Sequence, residues 1–361
     1  MRRGIFASII AVTLLLAAAP AEATFPGKNG KIAATGIRWS SRVEPPNIVT
    51  LNPDGTGVAA ITSDDMSSSP QWSADGTKIA FERVRREGPP FYFPLEVAVS
   101  TMNSDGSGVM LLTDDTSFNR SPAWSPDGTK LVFSGNRNGD DDLYTINADG
   151  TGMTQITNGP GYDRQPVWSP LGDQIAFTSF GPDSLHIYVA RADGSGRRQL
   201  ESSVEGPVSP DWSPDGRRVT FDSYLTRQIY SIGVDGTGLL QLTNDPYTPS
   251  LAATNSAPAW SPDGTKIVFV HSECYGTAGC HGWLETISPN GTGRAILARL
   301  EDQYDLYQPD WQPIPGPRRG DYKNVAQFCK ALREFLGDAT FRNRYGGGAN
   351  AYGKCVSGDG R

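Results

Sequence analysis

His271, Cys274, Cys280 and His281 fall within one short stretch, a spacing that would let two imidazoles and two thiolates close on a zinc ion. In an oxidising compartment the same two cysteines would form a loop-stapling disulfide, which is the expectation here. Cys329 and Cys355 make a second local pair among the three possible connectivities. Asp140-Asp141-Asp142 is a dense run of carboxylates, but it lacks the spaced ligands of a calcium loop. The three histidines, His186, His271 and His281, are too scattered for a multi-histidine centre. No metal and no cofactor is expected. No carboxylate pair recurs at catalytic spacing either, so no residue is assigned a catalytic role.

What remains are the residue types that anchor binding surfaces, arginine and the aromatics. Arg85, Arg86, Tyr92 and Phe93 crowd one segment; Arg120, Arg137, Asp163, Arg164, His271, Trp283 and Tyr307 are spread over others. These are the candidate binding residues. The alternative chemistry is an enzyme of polysaccharide lyase, hydrolase or lactonase type, with an acid such as Asp163 in general acid–base catalysis.

The elements that position them come from a repeat. Trp72, Trp124, Trp168, Trp212 and Trp260 each precede a tight turn, Ser-Pro-Asp-Gly in its commonest form, and Trp311 precedes a decayed one. A second turn follows each time, from Asp54-Gly-Thr-Gly to Asn290-Gly-Thr-Gly. Between them lie short apolar runs such as Leu131-Val132-Phe133 and Ile175-Ala176-Phe177, too short for helices and apolar on both faces, as strands between packed sheets are. Proline presets φ, aspartate bonds its own backbone and glycine supplies φ > 0, so hairpin chemistry accounts for both turns.

Each repeat is therefore a four-stranded meander, with strands a to d. The first begins at its b strand, near Asn29, and the missing a strand is supplied by Gln308-Pro309-Asp310-Trp311. The expected fold is all-β: a six-bladed propeller over residues 24–316, closed by the C-terminal strand completing the N-terminal blade. A small α-helical module occupies 317–361, with one helix ending near Gly337 and a second opening at Asp338. In a meander both glycine turns emerge on one face, and the irregular b–c and d–a loops on the other. Binding specificity is expected on the irregular face.

Residues 1–23 read as an export signal: Arg2 and Arg3, an apolar stretch from Ile5 to Ala19, and Ala21-Glu22-Ala23 for cleavage. The chain is expected to act outside the cytoplasm, secreted or in the periplasm or cell envelope, as a monomer without an integral membrane segment. Its net charge of −7 disfavours nucleic acid as a partner.

The motif Trp-Ser-Pro-Asp-Gly-x-x-Ile-Ala-Phe, followed by Ile-Tyr and Asp-Gly-Ser/Thr-Gly, resembles the WD40-like repeats of TolB-type β-propellers over about residues 25–313. The tail, Phe328-Cys329-Lys330-Ala331-Leu332-Arg333 onward, resembles a short module of exported actinobacterial proteins. Together these imply an exported, non-catalytic scaffold that binds a protein or glycan of the cell envelope through its irregular face.

Overall fold

In the computed structural model the chain is described over residues 27–38, 46–63, 66–85, 96–114, 117–159, 161–181, 184–200, 203–246, 252–274, 280–299, 304–316, 322–336, 341 and 351–357. The expected export signal lies outside these residues. Six four-stranded antiparallel sheets form the six blades. Blade 1 joins the two ends of the propeller: strand a is Tyr304–Pro315, and strands b to d are Gly27–Arg38, Asn47–Leu51 and Ala59–Ala60. The a strands of blades 2 to 6 are Met66–Trp72, Asn119–Trp124, Tyr162–Trp168, Pro207–Trp212 and Ala252–Trp260.

The core lies between blades. Phe133, Phe177 and Phe269 on the b strands are wholly buried, and each layer mixes two repeats. In one, Ala176, Ile187 and Val189 of blade 4 meet Trp212, Phe221 and Tyr230 of blade 5. Burying each such side chain contributes roughly 1.5–3 kcal/mol, so the repeat is stable only when stacked.

Both turns have the expected chemistry. Asp127 Oδ1 accepts the Ser125 hydroxyl at 2.6 Å and the Thr129 N–H at 3.0 Å, while Gly128 takes φ 69°. The c–d turn also packs outward. A Cβ on Gly194, at φ +83°, would lie 1.7 Å from the Ile156 carbonyl oxygen at the end of the preceding blade. The Leu-Thr or Ile-Thr that follows several d strands has its own task. Thr113, Thr157 and Thr243 each accept, through Oγ1, a main-chain N–H of their own c strand, that of Val99, Leu143 or Ile229, at 2.8–2.9 Å.

The tail forms α1 (Val325–Leu336) and α2 (Ala351–Ser357), bridged by the Cys329–Cys355 disulfide around Leu332 and Phe341. The first helix is the one expected. The second expected helix, from Asp338, falls largely outside the described residues, whereas α2 was not anticipated in so Gly-rich a sequence. No helix among the described residues is long and apolar enough to cross a membrane.

Candidate functional site

Every a strand carries a bulge just before its tryptophan. The register slips between Arg120 and Ala123, between Arg164 and Val167 and between Val208 and Asp211, and likewise in blades 2 and 6. At each slip sits an X-Pro pair whose first residue has left-handed φ: Ser69, Ser121, Gln165, Ser209, Ala257 and Gln308, all between 49° and 53°. Proline tolerates the bulge because it has no N–H to lose from the ladder. Such backbone costs on the order of 1–3 kcal/mol per residue and persists only where the surroundings enforce it.

The enforcement is visible. Acceptors from the neighbouring blade take the N–H groups of the bulges: Glu82 for Ser121 at 2.8 Å, Gln165 for Ser209 at 3.1 Å, Asp222 for Ala257 at 3.1 Å and Gln308 for Ser69 at 3.2 Å. The six bulges ring a central cavity of about 120 Å³, room for a few waters. Toward the turn face this channel narrows between the six tryptophans, where Asp211 and Asp310 face inward. Burial pushes the Asp211 and Asp222 carboxyls up to about 7, and pushes Asp310 well above the usual range, with the Asp211 charge adding to the effect. None of these three groups stands out in the sequence. The signal for them was a proline two residues before every tryptophan, from Pro70 to Pro309.

Of the residues singled out from sequence, the Arg85 side chain and all of Arg86, Tyr92 and Phe93 lie outside the described residues. Four others are internal. Asp163 is 3% exposed and paired with Arg197 at 3.1 Å. Arg137 reaches Asp114 and Asn119, both at 2.9 Å, with its guanidinium 5.9 Å from the Tyr144 ring. His271 is 4% exposed, its Nδ1 2.8 Å from Asn255 Oδ1 and 3.0 Å from Arg294. Trp283 tilts against the His271 ring at 4.8 Å and donates its indole N–H to Glu285 at 2.9 Å, under the Arg299 guanidinium. Arg197 of blade 4 holds Asp163, and Arg294 of blade 6 holds His271, in place of open solvent. Tyr307 is half-buried, and burial beside the Asp305 carboxylate pushes its phenol up.

The metal readings meet the same packing. Cys274 is disulfide-bonded and stands in register with Cys280, which removes its sulfur from a zinc set. Asp141 is ion-paired with Arg164, and Asp142 is buried, accepting from Gln155 at 2.8 Å. Among the described residues no group of three or more His, Cys, Asp or Glu side chains gathers as metal ligands.

Arg120 and Arg164 are the exposed ones, and both lie over aromatic rings, Arg120 4.8 Å from Phe118 and Arg164 5.1 Å from Tyr162. Tyr162 and Phe180, 41% and 44% exposed, stand ring to ring at 6.4 Å on the irregular side of blade 4. The b–c loop of blade 5 adds Tyr224 and Leu225, both more than half exposed. Neither Tyr162 nor Phe180 was singled out from sequence, where each reads as an ordinary strand aromatic.

The chain matches the family model described as the TolB beta propeller domain over residues 38–313. Among solved structures it is similar to TolB from Acinetobacter baumannii, with 22% identity and TM-score 0.64 over 79% of this chain and 67% of that one. It is also similar to a chain of the nidogen/laminin complex, with 11% identity and TM-score 0.61 over 79% of this chain and all of that one. An oligogalacturonate lyase in complex with manganese matches at 18% identity and TM-score 0.50 over 77% of each chain. At these identities the likeness is one of fold.

Proposed function

The chain belongs to the TolB β-propeller family, and from that premise we propose that it is an exported, non-catalytic scaffold that binds a protein of the cell envelope through its irregular loop face. The observation that carries this reading is the exposed aromatic pair of blade 4, with further exposed groups on the same face of blades 3 and 5. Tyr162 and Phe180 present two large apolar rings to solvent, Arg164 lies over Tyr162 and Arg120 over Phe118, and the b–c loop of blade 5 exposes Tyr224 and Leu225 on the same face. Exposed aromatic rings flanked by arginine are the composition of interface hot spots, rigid enough to bind at small entropic cost. A glycan is the other ligand that could stack on such rings.

Carboxyls with raised pKa values favour the enzyme reading: the inward-facing Asp211 and Asp310, and the buried Asp142, pushed up by burial and then by the Asp163 charge. The channel weighs against it. Its cavity of about 120 Å³ is well below the roughly 300–1,000 Å³ of small-molecule sites. Each channel carboxylate also already accepts a main-chain N–H, of Trp260 or Trp72.

Affinity capture from an extracytoplasmic fraction tests the reading, comparing the protein from Thr24 onward with a Tyr162→Ala/Phe180→Ala variant. A partner retained by the first and lost by the second supports it. A partner held equally by both would move the site elsewhere.

A further inference from the structure

We propose that Asp211 and Asp310 hold a proton between them in the central channel, so that closure of the propeller ring is proton-linked and loosens as the pair ionises. The two carboxylates come from the a strands of blades 5 and 1 and line one narrow cavity. Each commits Oδ2 to the main-chain N–H of the next blade's tryptophan, Trp260 at 2.7 Å for Asp211 and Trp72 at 2.6 Å for Asp310. Among the described residues no cation faces them. The corresponding a-strand positions of the other blades are Gln71, Ala123, Val167 and Ala259, all neutral, and the described channel lining holds no lysine, arginine or histidine. Two further carboxylates serve the bulges among the described residues: Glu82, which accepts the Ser121 N–H on the side facing blade 3, and Asp222, which accepts the Ala257 N–H and the Ser209 hydroxyl on the side facing blade 6.

Two negative charges enclosed together without a counter-ion are costly, and a bound proton removes one of them. Asp310 makes the matter one of ring closure. It sits on the strand that completes blade 1, and its bond to Trp72 is a stitch between the joined ends and blade 2. Protonated, each carboxyl keeps an acceptor oxygen for its N–H and gains an O–H donor. Ionised, the pair keeps both N–H bonds but repels across the channel. The folded ring then binds protons that the unfolded chain releases near pH 4. Stability is fully present below that pH on this account, and it is lost as pH rises from about 4 through neutrality.

The test is equilibrium unfolding of the full protein in urea between about pH 5 and pH 8, for the wild type and for Asp211→Asn, Asp310→Asn and Asp222→Asn. The unfolded-to-folded ratio of the wild type should rise at least about ten-fold across that range, one unit of linked acidity being one decade. Asp211→Asn and Asp310→Asn should each flatten the slope while retaining the N–H acceptor. Infrared spectroscopy of the wild type, and of Asp222→Asn, supplies a readout independent of variant folding. A protonated-carboxyl band should persist at about pH 6, where ordinary carboxylates are ionised, and fade above neutrality. A flat or rising wild-type stability profile would overturn the proposal, as would a slope unchanged in both channel variants or no such band at pH 6.

Discussion

Asp310 accepts the main-chain N–H of Trp72 at 2.6 Å, joining a strand at the end of the propeller to the blade that follows its first three strands. The ring is thus closed by a side-chain stitch as well as by the strand pairing of blade 1. Replacing Asp310 with alanine leaves that buried N–H without a partner, which should cost about 1–3 kcal/mol in urea unfolding. Asp310→Asn keeps an acceptor and should cost clearly less at neutral pH.

The threonines that end the d strands make a second, separable prediction. Thr243 is 3% exposed and accepts the Ile229 N–H at 2.9 Å. Thr243→Val keeps the shape and removes the acceptor, with an expected loss of about 1–3 kcal/mol. Thr243→Ser should recover most of it, measured by thermal or urea unfolding.

Two turn glycines should separate backbone strain from crowding. Gly128 has φ +69° with nothing within 4 Å of where an added methyl would stand, whereas a methyl on Gly194 would meet the Ile156 carbonyl at 1.7 Å. Gly128→Ala should cost roughly 1–2 kcal/mol, the left-handed penalty alone. Gly194→Ala should cost more, because blade 4 must also shift from its neighbour. Equal losses would remove the packing role assigned to the c–d turn.

Acid should weaken the protein by a different route from the channel. Asp54 and Asp149 are held below the usual carboxylate range, first by the hydroxyls of Thr56 and Thr151 and then by their N–H groups. A lowered folded value means that the unfolded chain binds more protons. Their contribution is present above about pH 4 and lost as pH falls through the folded value. Together with the opposite slope from the channel, stability should peak in mildly acid solution, between the two windows. A pH series of unfolding midpoints checks this. A continuous rise in stability from pH 4 to pH 8 would contradict it.

How much of this was legible in sequence depends on the kind of interaction. Trp124 with its Ser-Pro-Asp-Gly turn, and the Asp149-Gly-Thr-Gly turn, are local chemistry, so blade number, strand order and closure could be read directly. Pro122 and its five counterparts were equally local, yet their meaning lay in acceptors such as Glu82 in the neighbouring blade. His271 and Trp283 read as surface groups because nothing in the chain announces that Arg294 and Asn255 fold against the first and Arg299 over the second. Arg164 was found, but its partner ring Tyr162 was not, since exposure of one strand aromatic among many is decided by packing. The α2 helix escaped for a related reason: it is held by the Cys355 bridge and by Tyr352 donating to the Ala326 carbonyl at 2.7 Å, contacts from α1 rather than its own propensity.

Binding through the irregular face underlies the proposed function. Its most direct test is the affinity of a purified, captured partner for the wild type, for Tyr162→Ala/Phe180→Ala and for Leu171→Ser, an exposed residue in a turn on the opposite face. A loss of at least about ten-fold, roughly 1.4 kcal/mol, is expected for the first variant and no change for the second. Full affinity in the first variant, or a loss confined to Leu171→Ser, would contradict that function.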